Sequence, residues 1–220
     1  MTRESQNFIT HAAPFLVWIG LQMLLPATAG TYAVRTAATA VVGAALLLWT
    51  QWRPHKPSLR TIGTGLVGGL AVAILWIAPE CSAWYRTWFV YPIGALPPPA
   101  TSSPYDPVVC GWTLTVVKLI GSAFVIAPVE EVFFRSFLYR WLQNRDFASA
   151  SLAKFDLSAF LWMILLFTLE HDRPLAAALA GAIYGLLAIR VGLGAAILAH
   201  IVTNLLLALH VIVRGAWGFW

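Results

Sequence analysis

The sequence predicts an all-α protein, a polytopic transmembrane helical bundle with seven to eight membrane segments. Of its 220 residues, 60% are hydrophobic and only 10% are charged, whereas a typical soluble domain has about 25% charged residues. Apolar stretches follow one another along the chain, and the alternating ten-residue strands of a membrane barrel do not occur. This composition excludes a disordered tail, a disulfide-rich miniprotein and a typical cytosolic enzyme.

Seven apolar stretches mark the predicted membrane helices. They are Ala13–Gly30, Tyr32–Thr50, Thr61–Pro79, Val108–Val129, Leu157–Leu169, Pro174–Ile189 and Val191–Val213. A spanning helix needs about 20 residues, so the fifth and sixth stretches must borrow neighbouring polar residues to cross. We therefore expect His171 at or below the membrane surface. Two stretches also contain a cation, Arg35 in the second and Lys118 in the fourth.

The loops between these stretches predict their orientation, because cytoplasmic loops carry more Lys and Arg. The long segment Pro79–Pro107 has a single basic residue, Arg86, and is predicted to lie outside. The segment Asn144–Asp156 carries Arg145 and Lys154 and is predicted to lie inside. The N-terminal residues 1–11 would then also be inside.

The net charge of +5 comes from scattered basic residues. Its densest group, formed by Arg53, Lys56 and Arg60, separates two apolar stretches and is typical of a loop that faces anionic lipid. We expect membrane lipid as a partner, no nucleic acid, and a multi-pass position in a bacterial inner membrane. Cys81 and Cys110 have no metal-ligand spacing. Two free thiols are expected, and a disulfide is the alternative if their loop lies in an oxidising compartment.

The first polar cluster lies within and after the fourth apolar stretch. Ionisable groups inside a membrane helix are expensive and indicate function. Glu131 and Arg135 are four residues apart on a helix and can form an ion pair. Glu130 lies about 100° around the axis, which leaves its carboxylate available as a general acid or base. The alternative is an ordinary charge cluster at a helix end.

Two further clusters follow along the chain. Phe167 and His171 are spaced to stack one helical turn apart, and His200 and Asn204 share one face of the last apolar stretch. Alone, the first pair fits a surface histidine and the second fits hydrogen bonding between helices. With Glu130, they supply a carboxylate, two imidazoles and a carboxamide in an apolar bundle. Such a set can activate water and stabilise an oxyanion.

The order Glu130-Glu131-x-x-x-Arg135, Phe167-x-x-x-His171 and His200-x-x-x-Asn204 resembles the CPBP intramembrane proteases. This family includes the CAAX prenyl endopeptidases and bacteriocin-processing or immunity proteins. The resemblance covers residues 128–204, and the first hundred residues carry no motif. Within the family, the chain is similar to the bacterial CAAX-protease-related branch found beside exosortase protein-sorting systems.

The resemblance implies a glutamate-type endopeptidase that hydrolyses a peptide bond near the membrane. Glu130 would be the catalytic glutamate, His171 its partner in activating water, and His200 and Asn204 the groups that bind the oxyanion. Three supporting residues would hold the site: Glu131, Arg135 and Phe167. The substrate would be a membrane-associated or lipid-modified peptide or protein. We expect a single membrane-embedded domain over 1–220, with its catalytic core at about 108–213.

Three other interpretations remain open. An older interpretation of the motifs implies a zinc-dependent protease with Glu130, His171 and His200 as ligands. We favour a site without a cofactor, because Asn204 is a poor zinc ligand and HExxH is absent. The second alternative is a non-catalytic membrane binding or immunity protein that retains the motif. The third, a transporter, would need broken helices or a repeat.

The seven stretches create a conflict over depth. Strict alternation puts Glu130 near the inner surface and His171 near the outer surface, although catalysis needs them close together. A proline disfavours helix at the residue before it. We therefore expect a break at Ala127–Pro128 and a separate tilted or re-entrant helix over 129–142. This arrangement gives eight segments and an inside C-terminus.

Overall fold

A computed structural model describes residues 3–50, 57–86, 88 and 103–220. Within these ranges the regular structure is helical, without a strand, which confirms the all-α prediction. The long helices are α1 (Arg3–Leu24), α2 (Ala29–Thr50), α3 (Leu59–Ile77), α4 (Pro107–Gln143), α5 (Leu157–Leu169), α6 (Pro174–Arg190) and α7 (Leu193–Arg214). Short helical turns lie at Ala78–Cys81, Ala83–Tyr85 and Trp217–Phe219.

Five of the seven long helices can cross a membrane by length and composition, namely α1, α2, α3, α4 and α7. The other two, α5 and α6, are apolar but have only 13 and 17 residues. The chain is therefore an integral, multi-pass membrane protein. The shortness of α5 and α6 agrees with the two short stretches of the sequence.

The first two membrane helices meet earlier in the chain than the sequence predicted. The turn lies at residues 25–28, after α1 ends at Leu24, whereas the first apolar stretch was expected to run to Gly30. Pro26 cannot continue a helix that needs its N–H. The Thr28 hydroxyl accepts a hydrogen bond from the Thr31 backbone N–H at 3.1 Å, which caps α2.

Helix α4 passes through Pro128 without the predicted break, so that expectation was wrong. Its kink lies instead at Gly111, where φ is 78°, a conformation that glycine adopts readily. Widened π-helical turns lie at Ser122–Ile126 and Val132–Leu138, on either side of the proline. In the first of them, the Ala127 N–H donates to Ser122 O, five residues back. The widened turn accommodates a residue that has no N–H of its own.

The unbroken α4 resolves the conflict over depth. The predicted fourth stretch ended at Val129, but the helix continues to Gln143. At 1.5 Å per residue, Glu130 lies about 20 Å along the helix from Gln143. Helix α5 returns from the same end and is itself about 20 Å long. Glu130 and the turn after α5 therefore reach the same level, and the argument for an eighth segment and an inside C-terminus no longer holds.

Close packing of α3 against α7 positions the last polar cluster. The two helices run parallel, since a Cβ on Gly65 would meet Leu198 at 2.9 Å and one on Gly69 would meet Val202 at 2.6 Å. Thr203 Oγ1 also lies 3.0 Å from the Gly69 carbonyl oxygen. This contact requires glycine at position 69 and fixes the turn of α7 that carries the predicted oxyanion residues.

The two ends of the bundle differ in charge. One end contains the end of α4, the start of α5, the end of α6 and the starts of α3 and α7; Tyr139 OH donates to Lys154 O there at 2.9 Å. Its described basic residues are Arg60, Arg140, Arg145, Lys154 and Arg190, and we call it the basic end. The opposite end contains the turns at 25–28, 78–86, 103–106, 170–173 and 215–220. Its described basic residues are Arg86, Arg173 and Arg214.

Both cysteines are free thiols, which confirms the expected state. Cys81 is exposed, and Cys110 is half-buried near the start of α4. The triple-proline segment at 97–99 and the basic residues at 53 and 56 lie outside the described residues.

Candidate active site

A cavity of about 530 Å³ opens between the helices at the end opposite the basic end. All four predicted catalytic residues line it: Glu130, His171, His200 and Asn204. Asp172 also lines the cavity and is exposed, so the cavity reaches the surface there. The bundle thus brings residues from α4, the α5–α6 turn and α7 to one space.

Glu131 is a buried anchor beside the cavity. Its side chain is 0% exposed, and Oε1 lies 3.0 Å from Arg135 Nη1 and 2.9 Å from His200 Nδ1. Arg135 is also fully buried; its Nη2 donates to Gly181 O at 3.3 Å, and its guanidinium lies 4.5 Å from the ring centre of Phe167. Glu131 therefore links α4 to α7, while Arg135 links α4 to α6.

His200 is oriented from both sides. Because Nδ1 lies at hydrogen-bond distance from a carboxylate, it carries the proton and donates to Glu131. Its other nitrogen, Nε2, lies 3.7 Å from Glu130 Oε2. The ring stacks on Tyr184 with centroids 4.8 Å apart. This arrangement leaves Nε2 directed at the cavity carboxylate.

His171 has a fixed tautomer as well. Its Nδ1 lies 2.8 Å from the Phe167 carbonyl oxygen, which can only accept, so Nδ1 is the donor. The imidazole lies against the Phe167 ring at 4.5 Å and against the edge of Trp76 at 5.7 Å. In the neutral form, Nε2 is left as an acceptor in a mostly apolar surrounding.

Asn204 is held by the irregular part of α4. Its Nδ2 donates to Ser122 O at 2.9 Å, the carbonyl that also accepts from Ala127 in the π-helical turn. A carboxamide nitrogen has two N–H groups. One N–H of Asn204 is therefore fixed, and the second is available to the cavity.

Glu130 differs from its neighbour although the two are adjacent. It is 8% exposed, lines the cavity, and has His200 at 3.7 Å as its nearest ion-pair partner. Glu131 points away from the cavity into its two short contacts. The two carboxylates thus separate into one that faces the open space and one that is fully engaged.

Residues 112–206 match a family model described as "Rce1-like: Type II CAAX prenyl endopeptidase Rce1-like". The chain belongs to this family. The match runs from the kink of α4 into α7 and includes all seven predicted site residues. It confirms the resemblance to the CPBP and CAAX proteases and implies a hydrolase that acts as a protease. Placement in the exosortase-associated branch stays a prediction. Comparisons with curated proteins and with solved structures gave no match.

The Rce1-like site contains residues that the sequence analysis missed. Tyr184 stacks on His200, and its hydroxyl donates to Thr203 Oγ1 at 2.7 Å. Trp76 contacts His171, and Ser122 provides the carbonyl that orients Asn204. A tyrosine in the otherwise apolar α6 was a usable signal. The carbonyl of Ser122 was not, because backbone geometry has no side-chain signature.

The mouth of the Rce1-like cavity is closed on one side by an ion-pair network. Arg173 pairs with Asp172 at 2.8 Å and with Glu80, and it donates to Gly218 O at 2.7 Å. Burial alone would lower the pKa of the Arg173 guanidinium, but the carboxylates of Asp172 and Glu80 raise it above its ordinary value. Arg173 therefore stays charged and joins the α5–α6 turn to the C-terminal segment.

The described residues contain no group of three or more His, Cys, Asp or Glu that could hold a metal ion. The set proposed for zinc, Glu130, His171 and His200, is therefore not arranged as a ligand group. No step below is derived through a metal.

Proposed function

We propose that the chain is an intramembrane endopeptidase that hydrolyses a peptide bond with water activated by Glu130 and His171. The observation that supports it best is the shared cavity. There a weakly paired carboxylate, an imidazole with an available acceptor nitrogen and a carboxamide with an available N–H line one space between membrane helices. Each is an element of water activation or oxyanion stabilisation.

The reaction proceeds without an acyl-enzyme. Glu130 accepts a proton from a water molecule, whose oxygen attacks the scissile carbonyl carbon and forms a tetrahedral intermediate. The acceptor nitrogen of His171 orients the same water. When the C–N bond breaks, the proton held by Glu130 passes to the leaving amine, and the carboxylate is regenerated.

Asn204 and His200 stabilise the negative oxygen of that intermediate. The second N–H of Asn204 is a fixed donor, since Ser122 O holds the first. His200 donates from Nε2 when it is doubly protonated, and the Glu131 carboxylate at 2.9 Å favours that cation. Donors fixed in advance need no reorganisation as charge develops.

The substrate is a membrane-associated or lipid-modified peptide, and no cofactor takes part. The cavity walls include large aromatic side chains, among them Trp18, Trp76 and Phe167, which suit an apolar ligand. The mouth lies opposite the basic end, which the positive-inside tendency assigns to the cytoplasm. We therefore place the mouth on the outer face of a bacterial plasma membrane, on the side of the Pro79–Pro107 segment.

The test uses purified protein in lipid nanodiscs with a pooled library of N-palmitoylated octapeptides, and products are read by mass spectrometry. Wild type and a control, Asp146→Asn at the basic end, should cleave members of the pool, whereas Glu130→Gln should not. Equal cleavage by Glu130→Gln would contradict the assignment. Peptide retention without cleavage by wild type would favour the binding or immunity alternative.

A further inference from the structure

Two cations beside the cavity have no acidic partner. Arg35 of α2 is 7% exposed; its Nη1 donates to Gln22 Oε1 at 2.9 Å, and its buried Nε has no hydrogen-bond partner. Lys118 Nζ lies 4.3 Å from the ring centre of Tyr32 and 4.7 Å from that of Tyr105. In the described part of the chain, no carboxylate lies within 4.0 Å of either cation.

Such an arrangement is expensive unless it serves a ligand. Charged groups in membrane helices normally pair with one another or mark a functional path. Here the partners are aromatic faces and a neutral amide: Arg35 lies 4.5 Å over the Trp18 ring, besides its bond to Gln22. Aromatic faces attract a cation but do not neutralise it. The pair therefore makes this wall of the cavity positive.

The positive wall and the carboxylate of Glu130 belong to one cavity but to different levels of it. Lys118 lines the cavity together with Gln22 and Tyr32, as Glu130 does. Along α4, Lys118 and Glu130 are about 18 Å apart at 1.5 Å per residue. An extended peptide covers about 3.3–3.6 Å per residue. A short peptide segment can thus reach from one group to the other.

We propose that Lys118 and Arg35 form a subsite that binds the terminal carboxylate of the peptide substrate. This inference rests on the proposed function and specifies its substrate as a peptide cleaved near a free C-terminus. The subsite supplies the counter-charge that the two cations lack. It also places the scissile bond a few residues before the carboxylate, at the level of Glu130.

The test compares the palmitoylated library as free acids with the same library as C-terminal amides, in phosphatidylcholine nanodiscs. Binding is measured by equilibrium dialysis and cleavage by mass spectrometry. We expect the wild type to bind the acids about tenfold more tightly, the value of one charge-assisted hydrogen bond. Lys118→Met and Arg35→Met should reduce this ratio toward one, and the matched control Lys154→Met should keep it.

Equal binding of acids and amides by the wild type would overturn the subsite, even if both are cleaved. If neither library is cleaved, the proposed function fails, while the dialysis ratio still decides the subsite. A second arm uses discs that contain anionic phosphatidylglycerol. If that lipid removes the acid preference of the wild type, the cations bind a lipid phosphate, and the assignment to the peptide is wrong.

Discussion

The adjacent glutamates of α4 should respond in opposite ways to the same substitution. Glu131→Gln removes the charge that lies 3.0 Å from Arg135 Nη1 and 2.9 Å from His200 Nδ1. Removing one partner of a buried ion pair costs about 3–5 kcal/mol, because the other charge stays buried. For a chain of this size, 1 kcal/mol moves Tm by about 2–4 °C. We expect Tm to fall by about 6–20 °C.

Glu130→Gln should leave Tm unchanged or raise it. Its carboxylate has no ion-pair partner nearer than His200 at 3.7 Å, so the amide removes a poorly compensated charge from an apolar cavity. Activity should nevertheless be lost, because an amide cannot accept the proton of water. The two variants thus separate stability from catalysis at neighbouring positions.

The measurement is a thermal scan of tryptophan fluorescence on each purified variant in the same detergent. Arg135→Met and the double variant Glu131→Gln/Arg135→Met complete a double-mutant cycle. The double variant should lose less stability than the sum of the singles. An unchanged Tm for Glu131→Gln, or an equal loss for Glu130→Gln, would refute the division of roles.

Three further predictions concern packing, metals and topology. Gly69→Ala should destabilise by about 1–3 kcal/mol, because its Cβ would lie 2.6 Å from Ala199 O, whereas Gly63→Ala has open space and should not; Tm scans compare them. Chelation should leave peptide cleavage intact, and loss of cleavage that added zinc restores would establish the metalloprotease instead. In whole cells, a cysteine at Arg214 should react with an impermeant reagent from outside and one at Lys154 should not; the reverse pattern would contradict the orientation.

The side-chain patterns of the sequence predicted more of the fold and site than of the backbone geometry. Spacing alone suggested that Glu131 could reach Arg135, because helical neighbours four residues apart always approach. The extent of α4 was not predictable in the same way, since Pro128 normally indicates a helix end. Only the three-dimensional structure shows that π-helical turns absorb the proline and that the helix continues.

The same limit applies to contacts between distant elements. Nothing in the sequence pairs Asn204 with the carbonyl of Ser122, or Tyr184 with His200, because those contacts depend on how α4, α6 and α7 pack. The two membrane cations were visible in the sequence, but their lack of acidic partners was not. Partners are a property of packing, so this information came from the structure alone.

The short helix α5 has a consequence for the surrounding lipid. It spans about 20 Å, whereas the hydrocarbon layer is about 30 Å thick, and its outward side chains such as Leu161, Trp162 and Leu165 are exposed. The bilayer must thin locally to match this hydrophobic height. Headgroups and water would then sink toward the α5–α6 turn, beside the cavity. A thicker bilayer would oppose that deformation, so hydrolysis should slow as acyl chains lengthen.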